Sequence, residues 1–308
     1  MNKLIVSPSP HILSNNSTSN IMFDVVLALF PALFVSIVFF GPRALFVTLT
    51  CVLSCVAFEY ITRKVMKRSN TISDFSAVVT GMLLAFNLPP SIPFWVAIIG
   101  SFVAIVVVKQ LFGGIGQNFA NPAIVGRIIL FVSYGTYMTT WTQPFAYKHA
   151  VDTVASATPL LDINAADTFD LFIGNVSGCI GEISAVALLL GGAYLVIRKV
   201  INPIVPLTFI GTVFLLTWAL GDNPLNHIFA GGLMLGAIFM ATDYSTTPAT
   251  LKGKIIFAVG CGVITTVIRV FGSYPEGVSF AILFMNLITP LIDRCTKTRP
   301  FGVVGGAK

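Results

Sequence analysis

Charged side chains are scarce in this sequence. Asp, Glu, Lys and Arg make up 10% of its 308 residues and hydrophobic residues make up 56%, whereas a soluble domain carries about 25% charged residues. So few polar groups cannot cover a water-soluble globule, and the composition predicts that the chain folds in a lipid bilayer. The polar first 20 residues lack the apolar core of a signal peptide, so we expect the first apolar segment to insert without cleavage.

Metal and nucleotide motifs are also missing. The five cysteines contain no CxxC pair and the three histidines are scattered, so we predict no metal site. Cys51 and Cys55 share a helix face, which fits side-chain packing as well as a metal or cluster site. The glycine-dense stretch 113–118 lacks the spacing of a phosphate-binding loop. The net charge of +6 comes from short interhelical loops and predicts no nucleic-acid partner.

Long apolar segments occupy most of the chain instead. A helix needs about 20 mostly apolar residues to span a bilayer, and fewer where protein shields its ends. The third, fifth and eighth segments are short, glycine-rich and bordered by Pro, Asn or Asp, which is typical of half-helices that end inside a transporter. We therefore predict an all-α integral membrane fold of about ten spans, at residues 21–40, 43–62, 75–88, 94–112, 120–134, 182–198, 204–220, 227–241, 254–271 and 278–293.

The distribution of Lys and Arg predicts the orientation. Fourteen of the eighteen lie on the side of the N-terminus, three lie on the other side, and Arg127 falls within the fifth segment. Because positively charged loops stay inside, we expect a multi-pass protein of the cell inner (cytoplasmic) membrane with both termini in the cytoplasm. The connection 135–181 is then extracytoplasmic, and it carries four aspartates against the single Lys148.

The two halves of the chain share weak similarity. The stretch "TGMLLAF" (80–86) resembles "GLMLGAIF" (232–239), and "KQLFGGIGQNFANPAI" (109–124) resembles "IRVFGSYPEGVSFAIL" (268–283). Segments five apart cross the membrane in opposite senses, so the pattern predicts two inverted five-helix repeats. In transporters, such repeats place a site near the midplane of the bilayer.

Arg127 is the most unusual residue of the apolar segments. An intramembrane guanidinium is costly unless it is paired, and it marks a functional site by default. It follows Asn121-Pro122, a typical helix start whose N–H groups suit an anion or a polar ring edge. A structural salt bridge is the alternative, with Asp24, Glu59 or Glu182 as partner. Asp24, Glu59 and Asp243 are themselves open to two roles, as ion ligands or as salt-bridge groups.

The outer stretch "VDTVASATPL" (151–160) interrupts the apolar pattern with small and hydroxyl-bearing residues. The hydroxyl of Thr153, Ser156 or Thr158 is suited to covalent attachment of a cofactor, and a plain turn is the alternative. The residues alone thus leave two classes of function. One is a transporter or channel with a midplane site, and the other is a membrane subunit of a redox complex.

Several motifs resemble those of a known family. They are "SPSPH" (7–11), "TGMLLAFNLPP" (80–90), "FGGIGQNFANPAIVGR" (112–127), "GEISAVALLLGGAYL" (181–195), "FAGGLMLGAIFMATDYSTTP" (229–248) and "FGSYPEGVSFAILFMNLITPLID" (271–293). With them the chain resembles the D subunits of Rnf complexes (RnfD), which are related to the B subunit of the sodium-pumping NADH:quinone oxidoreductase. The resemblance implies a subunit of an ion-translocating ferredoxin:NAD⁺ oxidoreductase that couples electron transfer to Na⁺ or H⁺ movement.

The resemblance also implies a covalent flavin. In this family a threonine that ends a D-x-x-[S/T]-[G/S]-A-T pattern carries FMN through a phosphoester bond. Thr158 is therefore the implied site, and Asp152, Ser156 and Ala157 belong to the same pattern. Ala155 replaces the usual hydroxyl residue, and Ser156 stands where Gly is most frequent. Because a threonine hydroxyl is a poor nucleophile without an adjacent base, a separate flavin transferase is expected as a partner.

Related subunits imply a second flavin, non-covalent riboflavin, for which Arg127, Asn121, Gly113 and Gly116 are the candidate pocket residues. The implied partners are the Rnf subunits A, B, C, E and G and the lipid bilayer, and a stand-alone transporter or channel remains the alternative function. The expected organisation is a cytoplasmic segment (1–20), a first five-helix repeat (21–134), an extracytoplasmic flavin-bearing loop (135–181), a second repeat (182–293) and a cytoplasmic tail (294–308).

Overall fold

Helices form nearly all of the regular structure in the computed structural model, which describes residues 17–148, 155–156, 160, 163, 167–272 and 276–297. In chain order they are α1 (Thr18–Phe40), α2 (Pro42–Val65), α3 (Ser76–Phe86), α4 (Phe94–Phe102), α5 (Pro122–Ser133), α6 (Gly135–Met138), α7 (Thr168–Ile173), α8 (Ala185–Ile197), α9 (Ile204–Leu220), α10 (Pro224–Phe229), α11 (Leu233–Leu235), α12 (Leu251–Phe271) and α13 (Val278–Cys295). A π-helical segment, Val103–Gln110, directly follows α4, and another, Gly236–Met240, directly follows α11. Single 3-10 turns cover Ile72–Asp74 and Ala146–Lys148. The two-residue strands β1 (Trp141–Thr142) and β2 (Ala155–Ser156) pair antiparallel.

Four of these helices, α1, α2, α12 and α13, are long and apolar enough to cross a membrane. They expose large apolar side chains such as Phe34, Leu53 and Leu291 on the outside of the protein. In water such a surface would be an association hazard, whereas in a bilayer it faces lipid tails. The predicted all-α membrane class is therefore confirmed, and the chain has the architecture of a multi-pass membrane protein.

The remaining apolar helices are shorter than a bilayer is thick. The third and fifth predicted segments are short helices as expected, with 11 residues in α3 and 12 in α5. The eighth is divided into α10, α11 and a π-helical segment. The sixth, α8, is also short, with 13 residues. The end of α3 at Asn87 and the start of α5 at Asn121 are buried, and terminal backbone groups there need polar partners.

Local sequence explains two of these ends. Asn121 caps α5, since its Oδ1 accepts a hydrogen bond from the Ala123 amide at 3.1 Å and Pro122 occupies the first turn. This confirms the helix start predicted from the Asn-Pro pair. The α3 helix ends at Asn87, shortly before Pro89 and Pro90, which lack the amide hydrogen that a continuing helix needs.

Close contacts between helices depend on glycine. A Cβ atom on Gly191 of α8 would lie 2.1 Å from the Ala28 carbonyl oxygen of α1, and one on Gly81 of α3 would lie 2.7 Å from Val52 Cα of α2. Because lipid tails are as apolar as the helices, association in a bilayer depends on such close van der Waals packing. The glycines therefore set the spacing of the α1–α8 and α2–α3 pairs.

Replacing Gly191 by Ala should force α1 and α8 apart and lower the free energy of unfolding by about 1–3 kcal/mol, the usual cost of overpacking. The matched control is Gly211→Ala in α9, where no atom lies within 4 Å of the added Cβ. That control should be neutral or slightly stabilising because Ala favours helix. Thermal unfolding of the purified protein in one detergent compares the two variants, and equal midpoints would contradict the packing role of Gly191.

Candidate functional site

A buried ion pair lies at the end of the π-helical segment that continues α4. Lys109 Nζ is 2.7 Å from Glu59 Oε2 of α2 and donates a 2.6 Å hydrogen bond to Ser76 Oγ of α3. The other Glu59 oxygen accepts from Thr71 Oγ1 at 2.7 Å. Both charged side chains are almost fully buried. Each charge therefore has an opposite charge and a hydroxyl partner, which is what a buried pair needs to be tolerated.

A cavity of about 410 Å³ adjoins this pair. Its walls come from α1, α3, α8, the π-helical segment after α11, and the connection between α4 and α5. The wall is mainly apolar, and polar groups stand at its edge. The residues that define it include Ile21, Val79, Leu195 and Phe239 on the apolar side and Lys109, Asn118, Asn121 and Asp243 on the polar side. Size and lining are those of small-molecule sites, which span about 300–1,000 Å³.

One polar atom in this wall lacks a partner. Asn118 Oδ1 is buried, and no donor among the described residues reaches it. Leaving a buried acceptor unsatisfied costs about 1–3 kcal/mol, so a ligand that offers an N–H group would remove the penalty. Gly116 lies in the same wall with φ +82° and open space beside it. The left-handed backbone there favours glycine and lets a ligand approach the main chain.

Arg127 lies six residues beyond Asn121 in α5 and is the centre of a second buried cluster. Its Nη1 donates to Asn87 Oδ1 and to Ser279 Oγ, both at 2.8 Å. Its Nη2 contacts Glu276 Oε2, lies 3.3 Å from Glu182 Oε1, and lies 3.7 Å from Cys179 Sγ. We call Arg127, Glu182, Glu276 and Cys179, with Asn87 and Ser279, the Arg127 cluster. Of the alternatives considered for Arg127, the salt bridge to Glu182 is the one present.

The Arg127 cluster brings two carboxylates close together. One ligand atom from each of Cys179, Glu182 and Glu276 lies within 4.8 Å of the others. Two carboxylates at that separation repel by roughly 3.5 kcal/mol at an effective dielectric constant of 20. In the connection before α13, burial raises the pKa of the Glu276 carboxyl above its ordinary value, although the charge of Arg127 opposes the shift.

A third cation, Arg269 of α12, lies on the other side of the Gly231-Gly232 turn. It donates to the main-chain oxygens of His227 and Ala230, and within the described ranges no carboxylate lies within 4 Å of it. Leu160 is buried with Leu171 and Ala230. A Cβ on Gly231 would lie 2.7 Å from Leu160 Cδ1 and 3.3 Å from Arg269 Nη2. The chain at residue 160 is thus held against the turn that separates the two arginines.

The predicted covalent flavin site is only partly described. Thr158, Asp152 and Ala157 lie outside the described residues. Ser156 forms part of β2, where it pairs with Trp141 of β1.

The structure divides the four candidates for the second flavin pocket. Asn121 and Gly116 line the cavity, whereas Arg127 lies in its own cluster and Gly113 is not among the described lining residues.

Asp24 pairs with Arg198 at 3.1 Å and with the Tyr194 hydroxyl at 2.9 Å. The Asp243 carboxylate accepts hydroxyl hydrogen bonds from Ser245 and Thr246 in its own turn.

Three residues of these sites escape prediction from the sequence. Lys109 falls among the loop charges by position, although a lysine that follows "AIVVV" signals a buried partner. Glu276 falls in a polar connection, and Asn118 is covered only by the glycine-dense stretch. Nothing in the linear spacing indicates that residues 127 and 276 meet.

Comparison with known proteins is consistent with this architecture along nearly the whole chain. The model of the family described as "NQR2, RnfD, RnfE family" matches residues 5–302. The chain belongs to this family. Among curated relatives, the D subunit of the Na⁺-translocating ferredoxin:NAD⁺ oxidoreductase complex of Acetobacterium woodii is 49% identical, over 97% of this chain and 96% of the relative. The D subunit of the proton-translocating complex of Clostridium ljungdahlii is 45% identical over 98% and 97%. The D subunit of an ion-translocating oxidoreductase complex of Stutzerimonas stutzeri is 37% identical over 93% of both chains.

Breaking the Lys109–Glu59 pair from one side should cost far more than removing it whole. Lys109→Met leaves a buried carboxylate without its cation and should lower the free energy of unfolding by about 3–5 kcal/mol. The double variant Lys109→Met/Glu59→Gln should recover most of that loss. Unfolding of wild type, of these two variants and of Glu59→Gln, all purified in the same detergent, completes the double-mutant cycle. Additive losses would show that the two side chains do not depend on each other.

Proposed function

We propose that the chain is the D-type membrane subunit of an ion-translocating ferredoxin:NAD⁺ oxidoreductase complex. One observation carries the proposal: relatives that bear this name match at up to 49% identity with nearly complete coverage of both chains. The family match extends from residue 5 to residue 302, so the functional segments of such a subunit have counterparts here. Subunits A, B, C, E and G of the complex and the lipid bilayer are the proposed partners.

The proposed topology has ten spans in two inverted five-helix repeats, with both termini in the cytoplasm. The proposed repeats are supported by the contact between two helix ends, one from each half of the chain. The α3 helix and the π-helical segment after α11 end next to each other, where Asn87 Nδ2 lies 3.6 Å from Met240 Sδ. The Asn121 side chain at the start of α5 donates to the Met240 carbonyl at 3.3 Å. Interrupted helices that meet in this way are typical of inverted-repeat membrane proteins.

Electron transfer is proposed to depend on two flavins. FMN would be attached through its phosphate to Thr158 in the extracytoplasmic connection, after transfer by a separate flavin transferase. Supporting this location, Leu160, two residues further on, is anchored beside Arg269 and Gly231. When bound, the flavins supply one- and two-electron chemistry, while the protein positions and shields them.

The second flavin, riboflavin, is proposed to bind in the 410 Å³ cavity. The donor set fits such a ring. The apolar walls suit its faces, Asn118 Oδ1 would accept from its imide N–H, and Asn121 and Gly116 stand at the same edge. Arg127 and Gly113 would then act outside the pocket wall.

The identity of the coupling ion is left open by the relatives, because one is named Na⁺-translocating and another proton-translocating. The proposed coupling is that electron transfer between the two sides shifts the helices and changes access to an ion site. A stand-alone transporter or channel would need neither flavin, so flavin content separates the two functions.

Replacing the proposed attachment residue should abolish covalent flavin. The protein is co-expressed with a flavin transferase, denatured, and examined by in-gel fluorescence and intact mass. Wild type should carry the mass of one FMN less water, and Thr158→Ala should lose both signals. The matched control Thr153→Ala removes a neighbouring hydroxyl at an unspecified position of the pattern and should retain the adduct. An unmodified wild type would contradict the redox function, whereas a fluorescent Thr158→Ala protein would contradict only the site.

Removing the unpaired acceptor Asn118 Oδ1 should weaken the binding of the non-covalent flavin and leave the covalent FMN unchanged. Asn118→Leu keeps the volume of the side chain but offers no acceptor, so we expect riboflavin affinity to fall roughly tenfold or more. Flavin retained through gel filtration is released by denaturation and quantified, with the covalent FMN on the same protein as internal reference. Asn175→Leu, at an exposed position remote from the cavity lining, is the control. Equal retention in both variants would place the second flavin elsewhere.

A further inference from the structure

The Arg127 cluster has more carboxylates than cations in contact with them. Glu182 and Glu276 both face one guanidinium nitrogen, Arg127 Nη2. The other nitrogen, Nη1, is occupied by the neutral groups of Asn87 and Ser279. The side chains of Arg127 and Glu182 are 5% and 3% exposed, and that of Glu276 is 13% exposed. Water therefore has little access to the two carboxylates, and burying two negative charges that share one cation is unfavourable.

One oxygen in the cluster lacks a hydrogen-bond donor. Glu182 Oε1 is buried, and no N–H or O–H group in the described part of the chain bonds to it. Its 3.3 Å contact with Arg127 Nη2 is an ion contact without hydrogen-bond geometry. Two further groups with a possible donor lie within 4.8 Å of the Glu182 carboxylate, the Cys179 thiol and the Glu276 carboxyl, and the thiol hydrogen is directed to the Asn87 carbonyl. A protonated carboxyl supplies the O–H donor that a carboxylate cannot.

We propose that Glu182 and Glu276 form a proton-binding site, in which the two carboxyl groups share one proton while Arg127 stays charged. The proton makes one carboxyl neutral and lets its O–H donate to the remaining carboxylate. The cluster then holds one anion and one cation, and Glu182 Oε1 gains a partner. The raised pKa that burial causes at Glu276 agrees with this assignment.

In the described part of the chain, no cation other than Arg127 contacts the two carboxylates. Arg269 of α12 attracts both of them electrostatically, but its guanidinium donates its hydrogen bonds to the carbonyls of His227 and Ala230. His227 of α10 lies 3.5 Å from Asp222. Cys179, in the connection before α8, donates its thiol hydrogen to the Asn87 carbonyl at 3.3 Å. A metal ion bound by Cys179 and the two glutamates would lie against the Arg127 guanidinium, which repels it.

The position of this site deepens the proposed coupling role, and only that consequence rests on the proposed function. Asn87 and Arg127 belong to the first half of the chain, and Glu276 and Ser279 belong to the second. A movement between the halves changes the distance from Arg127 to Glu276. Withdrawal of the cation raises the proton affinity of the pair, and its return lowers that affinity.

Infrared difference spectroscopy of the full chain in detergent detects the proton directly, because a protonated carboxylic acid has its own carbonyl stretch. Spectra are recorded as the pH is raised through neutrality, on wild type, Glu182→Gln, Glu276→Gln and the control Asp167→Asn, an exposed aspartate. We expect one acid band that disappears with rising pH in wild type and Asp167→Asn, and its loss in both glutamine variants. Circular dichroism verifies that each variant folds, and isosteric glutamine keeps the packing.

Thermal unfolding gives a second measurement with a defined sign. A carboxyl whose pKa is raised in the folded state stabilises the protein below that pKa, and the contribution is lost as pH rises through it. The midpoint of wild type should therefore fall as pH rises, and Glu276→Gln should flatten the slope. Absence of the acid band in wild type, or its persistence in both glutamine variants, would overturn the proposal. Loss of the acid band when Na⁺ replaces choline in the buffer at constant pH would also overturn the proposed proton site, in favour of a sodium site.

These outcomes are distinct from failure of the proposed function. The acid band requires no flavin, so a protein without covalent FMN would defeat the redox function and leave the proton site intact. Conversely, a flavin-loaded protein with no acid band would defeat the proton site alone.

Discussion

Neutralisation of buried charge is the constraint on which the arrangement of this protein depends. In a bilayer, neither lipid nor the packed interior solvates an isolated ion, so a buried charge needs an opposite charge or several hydrogen-bond partners. Lys109 meets Glu59 and thereby ties the end of the α4 extension to α2, and through Ser76 to α3. Arg127 bonds to Ser279, which is 152 positions away in sequence. These contacts connect distant helices, in addition to the close packing at glycines that sets the spacing of neighbouring ones.

Interrupted helices create the second requirement. A helix that ends inside the protein leaves amide and carbonyl groups that need partners. Asn87 and Asn121 meet this need at two such ends, and both also contact Met240. The start of α5 at Asn121 also lines the 410 Å³ cavity. A polar group that completes a helix is thus available to orient a ligand, and the buried Asn118 Oδ1 in the same wall is left for the ligand to satisfy.

The two sites differ in the chemistry that they can supply. The cavity has apolar walls and a polar edge, which suits a flat aromatic cofactor more than a hydrated ion. The Arg127 cluster has paired carboxylates in close contact with a guanidinium, which suits the binding and release of a proton more than of a metal ion. Six residues of α5, about 9 Å of helix, separate Asn121 from Arg127. An added charge in the cavity would therefore be felt at the cluster through the protein interior.

Composition and local sequence pattern were sufficient to predict the fold class and several helix boundaries. The scarcity of charge predicted a membrane fold because it is a property of composition. Asn121-Pro122 predicted the start of α5, and the short glycine-rich segments bordered by Pro, Asn or Asp predicted the short α3 and α5, because these features depend on neighbouring residues. The six sequence motifs were enough for the family. Tertiary structure decided the partners. Glu276, Ser279 and Cys179 meet Arg127 only after distant helices pack, and the same packing leaves Arg127 outside the cavity that Asn121 lines. Long-range pairing depends on how whole helices dock, and no local spacing encodes it.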